Sequence, residues 1–158
     1  MATTEVAVIG TGWCGGIRAE TLAKSALVDA LHICEILPER LQEVRALTNP
    51  KTATQDYQEI VANPAISVVY ISTTPEQTHY PIARDCLKAG KHVLLEKPIA
   101  LEFWEADELI ALSETNNVKF TIGYSQRFNP KIAYAKKSIA DGKLGTVVNV
   151  MVLSLIHI

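Results

Sequence analysis

The chain has 158 residues, of which 48% are hydrophobic, and a formal charge of −2 from 15 basic and 17 acidic side chains. This length and composition suffice for one buried core and the beginning of a second. The near-neutral charge, without a clustered basic face, argues against a nucleic-acid partner. No apolar run reaches the roughly 18 residues that a membrane span requires, and Met1 is not followed by a basic, apolar leader, so we expect a cytoplasmic protein.

The first element in chain order is an apolar strand, Val6–Ile9, which runs directly into a Gly-x-Gly-x-x-Gly sequence. After a strand and before a helix, this pattern is typical of dinucleotide binding. The first glycine would permit a tight turn, the second the close approach of a pyrophosphate, and the third the packing of a helix that begins near Gly16, whose free N–H groups would hold phosphates. The alternative is a merely structural glycine turn. The candidate residues are Gly10, Thr11, Gly12, Trp13, Cys14 and Gly15.

The second strand-like segment, Ala30–Ile36, carries Glu35 twenty residues after Gly15. A carboxylate at this spacing can accept both hydroxyl hydrogens of an adenosine ribose, although a strand-end carboxylate in solvent is the alternative. Glu35 would repel a 2′-phosphate and its apolar neighbour Ile36 would not bind one. NAD is therefore predicted over NADP, with Arg40 as the one nearby residue that could reverse the preference.

The next segments alternate between helix and strand. A helix is predicted from Pro38 to about Leu47, then a short edge strand over 51–54, a short helix over 57–62 and an apolar strand, Ile66–Ser72, on the other side of the first strand. In a doubly wound sheet the strand order reverses at this crossing, so the residues after it should line the cofactor crevice. These residues are Thr73, Thr74 and Pro75.

Two further segments carry candidate site residues. A helix over His79–Lys88 begins with a histidine that either contacts cofactor or substrate or is a capping or surface residue. The strand His92–Leu95 then delivers Glu96 and Lys97 to the carboxyl edge of the sheet. Lys97 could polarise a carbonyl or hold a substrate hydroxyl during hydride transfer. The alternative is a solvated ion pair between these two neighbours.

Three stretches, Thr73–His79, Ala89–Pro98 and Gly123–Pro130, resemble the glucose–fructose oxidoreductase and inositol dehydrogenase (Gfo/Idh/MocA) family in order and separation. The resemblance extends to about Met151. It implies a Rossmann domain, a doubly wound parallel α/β sheet, followed by an α/β domain with a large open sheet. It also implies NAD(P)-dependent oxidation or reduction of sugars, cyclitols or related small carbonyl compounds, often in a homo-oligomer formed through the second domain.

Residue by residue, the resemblance assigns the three glycines to the phosphate loop and Glu35 to the ribose. Pro75 corresponds to the loop beside the adenine and nicotinamide, and Lys97 to the motif lysine that contacts substrate and cofactor. Gln126 and Arg127 correspond to the segment that enters the cleft from the sixth strand. The three cysteines lack C-x-x-C spacing, so we expect buried thiols and neither a metal site nor a disulfide framework.

The end of the chain departs from this family. We predict a Rossmann domain over 1–123 and, over 124–152, the start of a truncated second domain, with a helix over 131–140 and a strand over 145–151. Family members run to about twice this length and carry an Asp-x-x-x-His motif whose histidine is a general acid or base. Residues 153–158 translate CTG-TCT-CTT-ATA-CAC-ATC, a string found in a transposase adaptor of sequencing libraries. We predict an adaptor artefact there, with an ordinary strand tail as the alternative.

The sequence therefore predicts the nucleotide-binding part of an NAD-dependent dehydrogenase that acts on a hydroxyl or carbonyl of a sugar, cyclitol or related compound, with the 158 residues alone inactive. The competing hypothesis is a non-catalytic protein of the same fold that senses cofactor or metabolite. The presence of Lys97 favours the enzyme; an Asp-x-x-x-His motif downstream would support catalysis, and its absence would favour sensing.

Overall fold

The computed structural model describes residues 4–151. Its contacts divide the chain into two compact units, Met1–Gly123 and Tyr124–Ile158. Within 4–151, the structure contains no helix of the length and apolar character that crossing a membrane takes. The predicted adaptor segment, 153–158, lies outside the described residues.

The first unit is built on one parallel sheet of six strands in the order β3-β2-β1-β4-β5-β6. The strands are β1 (Glu5–Ile9), β2 (Ala30–Cys34), β3 (Thr52–Thr54), β4 (Ile66–Ile71), β5 (His92–Leu95) and β6 (Phe120–Ile122). Chain order reverses at β1, which pairs with β2 on one side and β4 on the other. This arrangement confirms the predicted doubly wound α/β fold and its switch point.

Helices connect the strands and cover both faces of the sheet. The helices of the first unit are α1 (Trp13–Ala23), α2 (Pro38–Thr48), α3 (Tyr57–Ala62), α4 (His79–Lys88) and α5 (Phe103–Thr115). Successive residues of β1 alternate between two buried clusters: Val8 packs with α1 and α2, whereas Ala7 and Ile9 pack with α3, α4 and α5. Because side chains on both faces of the strand are covered by helices, Val6–Ile9 is buried on both sides and forms a continuous apolar run.

The helix after the glycine loop starts earlier than the sequence predicts. α1 begins at Trp13, with Gly12 as its N-cap, rather than near Gly16. The Gly15-Gly16 pair argues for loop because glycine is a poor helix former. Both glycines are buried in the first turns of α1, so close packing outweighs their low helix propensity.

The second unit is short. It contains a 3₁₀ turn, Ser125–Phe128, and helix α6 (Pro130–Ala140), whose N-cap Asn129 accepts a hydrogen bond from the Lys131 N–H. The helix matches the prediction, but the strand expected over 145–151 is wrong, because the described residues up to Met151 contain no strand after β6. A strand needs a neighbour for its ladder of hydrogen bonds, and nothing in the described part of this unit supplies one.

Candidate functional site

A cavity of about 690 Å³ opens at the carboxyl edge of the sheet, where β1, β2, β4 and β5 end. This is the position at which open α/β sheets bind ligands. Ten of the residues predicted from the sequence line it: Gly10, Gly12, Trp13, Cys14, Glu35, Thr73, Thr74, His79, Glu96 and Lys97. Thr11, Gly15 and Pro75, also predicted as cofactor-binding residues, are not among the lining residues.

The phosphate loop, residues 10–15, is shaped by glycines with different constraints. Gly10 has φ +82°, and a Cβ there would lie 2.6 Å from the Ser72 carbonyl oxygen. A Cβ on Gly15 would lie 1.9 Å from the Gly10 carbonyl oxygen, so α1 approaches the loop as closely as backbone allows. A Cβ on Gly12 would meet nothing within 4 Å. The loop is therefore tightly packed at Gly10 and Gly15 and open at Gly12, the side that we call its front.

The open side of the loop coincides with the start of α1. The first N–H groups of an α-helix have no intrahelical acceptor, and the helix dipole favours an anion there. In α1 these are the N–H groups of Trp13, Cys14 and Gly15, since the first intrahelical bond recorded here is from Gly16 N–H to the Gly12 carbonyl oxygen at 2.9 Å. The arrangement can bind a phosphate group.

Glu35 closes the other side of the loop. Its carboxylate accepts hydrogen bonds from the Thr11 N–H at 2.8 Å and the Thr11 hydroxyl at 3.2 Å, both at Oε2, and from the Leu37 N–H at 3.1 Å at Oε1. Glu35 is buried yet lines the cavity. A carboxylate offers about four acceptor positions, so capacity for a hydroxyl remains after these bonds.

His79 is a buried residue, so its interpretation as a capping or surface residue is wrong. It is only 2% exposed. Its Nδ1 lies 2.8 Å from the Pro98 carbonyl oxygen and its Nε2 lies 3.0 Å from the Thr73 carbonyl oxygen. A neutral imidazole can donate to one of these carbonyls at a time, whereas an imidazolium donates to both. The ring thereby links the segment after β4 to the segment after β5.

The segment after β4 is also held by its own side chains. The Thr73 and Thr78 hydroxyl oxygens lie 2.6 Å apart, and the Thr78 hydroxyl donates to the Pro75 carbonyl oxygen at 2.7 Å. The Ser72 N–H donates to the Ile9 carbonyl oxygen at 2.8 Å, which fixes this segment to the end of β1. Thr73 and Thr74 consequently face the cavity on a supported turn.

Glu96 and Lys97 do not form the solvated ion pair that was the alternative interpretation. Among the ion pairs of the described residues none joins them; instead Glu96 accepts the Tyr70 hydroxyl hydrogen at 2.5 Å and the Lys97 N–H at 3.3 Å, and the Cys14 thiol donates to it at 3.9 Å. The carboxylate is thus engaged by other donors. The exposed Lys97 side chain lines the cavity as a separate cation.

Sequence reasoning missed Tyr70 and Arg18 as parts of this site. Burial, and then the carboxylate of Glu96, raise the pKa of the Tyr70 phenol, and the proximity of the Tyr70 hydroxyl raises the pKa of Arg18. The available signal was a tyrosine inside the apolar strand Ile66–Ile71, because a buried phenol requires a hydrogen-bond partner. Together these contacts hold Glu96 in place beneath Lys97.

Gln126 and Arg127 belong to the second unit, where they lie in the 3₁₀ turn. The Asn129 amide donates to the Gln126 side-chain oxygen at 3.0 Å. Their predicted contact with the cofactor remains a prediction, as do the cofactor roles of the other site residues.

The chain is similar in sequence and fold to dehydrogenases and other oxidoreductases. Residues 4–124 match the profile of an oxidoreductase family with an NAD-binding Rossmann fold. The chain is 31% identical over 147 residues to the inositol 2-dehydrogenase/D-chiro-inositol 3-dehydrogenase of Lactiplantibacillus plantarum, covering 90% of this chain and 41% of the relative. It is 29% identical over 142 residues to the scyllo-inositol 2-dehydrogenase (NADP(+)) of Bacillus subtilis, covering 90% and 39%.

A solved structure gives the same picture. The scyllo-inositol dehydrogenase of Lactobacillus casei, crystallised with NAD(H) and scyllo-inositol, superposes with a TM-score of 0.83 at 27% identity over 91% of this chain and 43% of that one. The chain spans about two fifths of the length of the relatives it matches. The fold and the profile match confirm the resemblance found in the sequence, and the chain belongs to the Gfo/Idh/MocA oxidoreductase family with an NAD-binding Rossmann fold.

Proposed function

We propose that this chain binds NAD(H) in the cavity and forms the cofactor half of a dehydrogenase that acts on a hydroxyl or carbonyl of a cyclitol, sugar or related small molecule. The observation that carries the proposal is the convergence of the phosphate loop, Glu35 and Lys97 on one cavity. The names of the relatives, inositol dehydrogenases among them, support the substrate class. The longer protein is proposed to be cytoplasmic and homo-oligomeric, with 1–123 as its cofactor domain and 124–152 as the start of its second domain.

The loop fits a pyrophosphate. The space in front of Gly12 is open, and the N–H groups of Trp13, Cys14 and Gly15 are at the N-terminus of α1. These N–H groups would hold the phosphate oxygens, and Glu35 would accept a hydrogen bond from a ribose hydroxyl. When bound, the nicotinamide supplies hydride-transfer chemistry.

Lys97 would act on the substrate side. Its ammonium lines the same cavity as the loop and is not paired with Glu96. It can hold a substrate oxygen and stabilise the charge that develops on it. Because an ammonium stays protonated at neutral pH unless it is desolvated, the proton of a substrate hydroxyl needs a separate general base. We therefore propose that the 158 residues alone show no appreciable turnover.

Cofactor choice tests the binding part of the proposal. By calorimetric titration at one ionic strength, the chain should bind NADH more tightly than NADPH, because the Glu35 carboxylate would repel a 2′-phosphate. Glu35→Ala should reduce that preference, whereas Glu39→Gln, an exposed carboxylate on α2, should preserve it. Equal or tighter binding of NADPH by the wild type would remove Glu35 from its assigned role.

Turnover tests the catalytic part. The chain with its downstream half restored should oxidise members of a panel of polyols and sugars with NAD, and general acid–base catalysis there should contribute on the order of 10²–10⁴ in rate. Lys97→Ala in that longer protein should lower kcat even when NAD is saturating. An unaffected Lys97→Ala enzyme would exclude Lys97 from the mechanism. NADH binding without turnover on any substrate would favour a sensing protein.

A further inference from the structure

We propose that Arg40 is a positioning residue that clamps the phosphate loop through two carbonyl groups, and that residue 16 is glycine because the Arg40 guanidinium occupies the space of a side chain there. The inference rests on the proposed function, since the ligand of the clamped loop is the dinucleotide. It assigns to Arg40 a role other than recognition of a 2′-phosphate.

Each of the three guanidinium nitrogens of Arg40 has a partner. Nε donates to the Thr11 carbonyl oxygen at 2.7 Å, and Nη2 donates to the Gly12 carbonyl oxygen at 3.2 Å. Nη1 pairs with the Glu43 carboxylate at 2.7 Å, one turn further along α2. The planar fork of arginine makes such a two-carbonyl grip possible, whereas the single ammonium of lysine has no matching geometry.

The grip fixes the direction of the loop amides. In a planar trans peptide the C=O and the N–H point in opposite directions. The Thr11 carbonyl shares its peptide plane with the Gly12 N–H, and the Gly12 carbonyl shares its plane with the Trp13 N–H. Holding the two carbonyls on Arg40 therefore orients two N–H groups at the open front of the loop, where the pyrophosphate is proposed to bind.

Gly16 is explained by the same contact. A Cβ on Gly16 would lie 2.3 Å from Arg40 Nη2 and 3.5 Å from Arg40 Cζ. Gly16 lies inside α1, where glycine is less stable than alanine, and its φ is not in the left-handed region. The backbone dihedrals thus give no reason for glycine at this position; the nearest obstacle to a side chain is the guanidinium, and the Thr11 carbonyl oxygen, 3.3 Å from the added Cβ, is a second and milder one. An alanine would displace the flexible end of Arg40 and leave the helix intact.

The clamp predicts a pattern of cofactor affinities. Because the pyrophosphate is common to NADH and NADPH, loss of the clamp should weaken both by the same factor. A 2′-phosphate role for Arg40 would instead weaken NADPH alone. The ratio of the two affinities therefore separates the two roles.

The test is a double-mutant cycle on this chain, measured by calorimetric titration with NADH and with NADPH. Arg40→Met and Gly16→Ala should each weaken both cofactors about tenfold, since charged hydrogen bonds to the loop are lost. The double variant should bind no more weakly than either single variant, because both changes remove one interaction. Arg40→Lys should remain weakened, and Arg45→Met, an exposed arginine on the same helix, should bind like the wild type.

Two readouts separate the clamp from a general structural effect. Gly16→Ala should unfold in urea close to the wild-type midpoint while binding NADH less well, since the helix propensity of alanine offsets the hydrogen bonds that Arg40 loses. In the nitrogen–proton NMR spectrum, the Arg40 Nε–H resonance should be distinct in the wild type and move to the position of a solvated arginine in Gly16→Ala.

The outcomes that overturn the clamp are additive losses in the double variant, a selective loss of NADPH binding, full recovery in Arg40→Lys, or an Arg40 Nε–H resonance unchanged by Gly16→Ala. Failure of the wild type to bind NADH would instead overturn the proposed function. The NMR comparison needs no cofactor, so it decides the Arg40–Gly16 contact in that case as well.

Discussion

The phosphate loop and the opposite wall of the cavity, formed by 72–75 and 96–98, are held in place by different kinds of contact. The loop takes its shape from close backbone contacts, in addition to the bonds that its peptide groups make to Glu35 and Arg40: Gly10 meets the backbone after β4, and Gly15 meets the Gly10 carbonyl. The opposite wall, which we call the lysine wall, is held by side chains of Tyr70 and His79 that bond to Glu96 and to main-chain carbonyls.

The difference indicates which kind of substitution should disrupt each wall. A backbone-shaped loop fails when a single methyl group is added, because the clash has no flexible atom to move. A wall held by side chains fails when a polar atom is removed, because the remaining partners are left unsatisfied in a buried place. Substitutions of the two kinds should therefore separate the walls.

The largest effect is expected from Gly15→Ala. Its Cβ would lie 1.9 Å from the Gly10 carbonyl oxygen, so α1 or the loop must shift, at a cost of about 3 kcal/mol by analogy with overpacked cores. NADH binding should be lost as well. Gly12→Ala is the matched control. Its Cβ would have no atom within 4 Å, so the free energy of unfolding in urea should change by less than about 0.5 kcal/mol, while NADH affinity should fall. Wild-type stability of Gly15→Ala would contradict the backbone explanation.

The lysine wall should respond next, to His79→Leu. The substitution removes both ring contacts and leaves the Thr73 and Pro98 carbonyls without their partner, which we expect to lower the free energy of unfolding by about 2 kcal/mol. His79→Gln keeps one amide donor and should lose about half as much. The measurement is urea unfolding of the three proteins. Equal stability of His79→Leu and the wild type would show that the two segments hold without the ring.

A labelling experiment probes the point where the walls meet. Burial raises the pKa of Cys34 and of Cys86 to about 12, whereas the half-buried Cys14 lines the cavity with its thiol toward Glu96. Because the thiolate is the reactive form, iodoacetamide at pH 8 should give one adduct per chain by mass spectrometry, on Cys14. NADH should slow the reaction, and Cys14→Ser should give no adduct. Labelling of Cys34 or Cys86 in the folded chain would refute the burial argument.

The smallest effect is expected at Glu5, at the start of β1 and away from both walls. Lys51 at 2.6 Å, and His32 at 2.9 Å, lower the pKa of the Glu5 carboxyl below its ordinary value of 4.5. A depressed carboxyl pKa stabilises the fold above the ordinary pKa, and the contribution is lost as pH falls through the folded value. Glu5→Gln should thus be less stable than wild type at pH 7, and the difference should close in acid while NADH affinity at pH 7 is unchanged. A stability gap that stays constant from pH 7 to pH 3 would rule out this ionisation.

The sequence predicts which residues form the two walls, because these residues follow from local spacing and from strand ends. The loop contacts follow from local spacing: an apolar strand, three glycines and a carboxylate at the end of the next strand. Thr73, Thr74 and Lys97 were predicted from strand ends alone, because parallel strands bring their carboxyl ends together.

What supports those residues could not be predicted in the same way. Tyr70 and Glu96 are far apart in the chain and meet only when β4 pairs with β5. For His79 the sequence left a cofactor or substrate contact and a capping or surface position both open, because its burial depends on the packing of the turn after β5. Residues 145–151 include residue types that favour strands, but no neighbouring strand lies among the described residues, so β propensity alone wrongly predicted a strand there.

The central place of β1 in the sheet has a consequence for the order of assembly during synthesis. β1 leaves the ribosome before the other strands of this sheet, yet its two flanks are completed by β2 and then by β4, which is made much later. The turn of the loop that packs against Ser72 also cannot form before β4 is made, since Ser72 follows β4 and its N–H donates to the Ile9 carbonyl oxygen. A nascent chain that stops short of β4 would therefore contain the whole glycine motif but lack the backbone segment against which it packs. Cofactor binding would stabilise the fold only after β4 has left the ribosome.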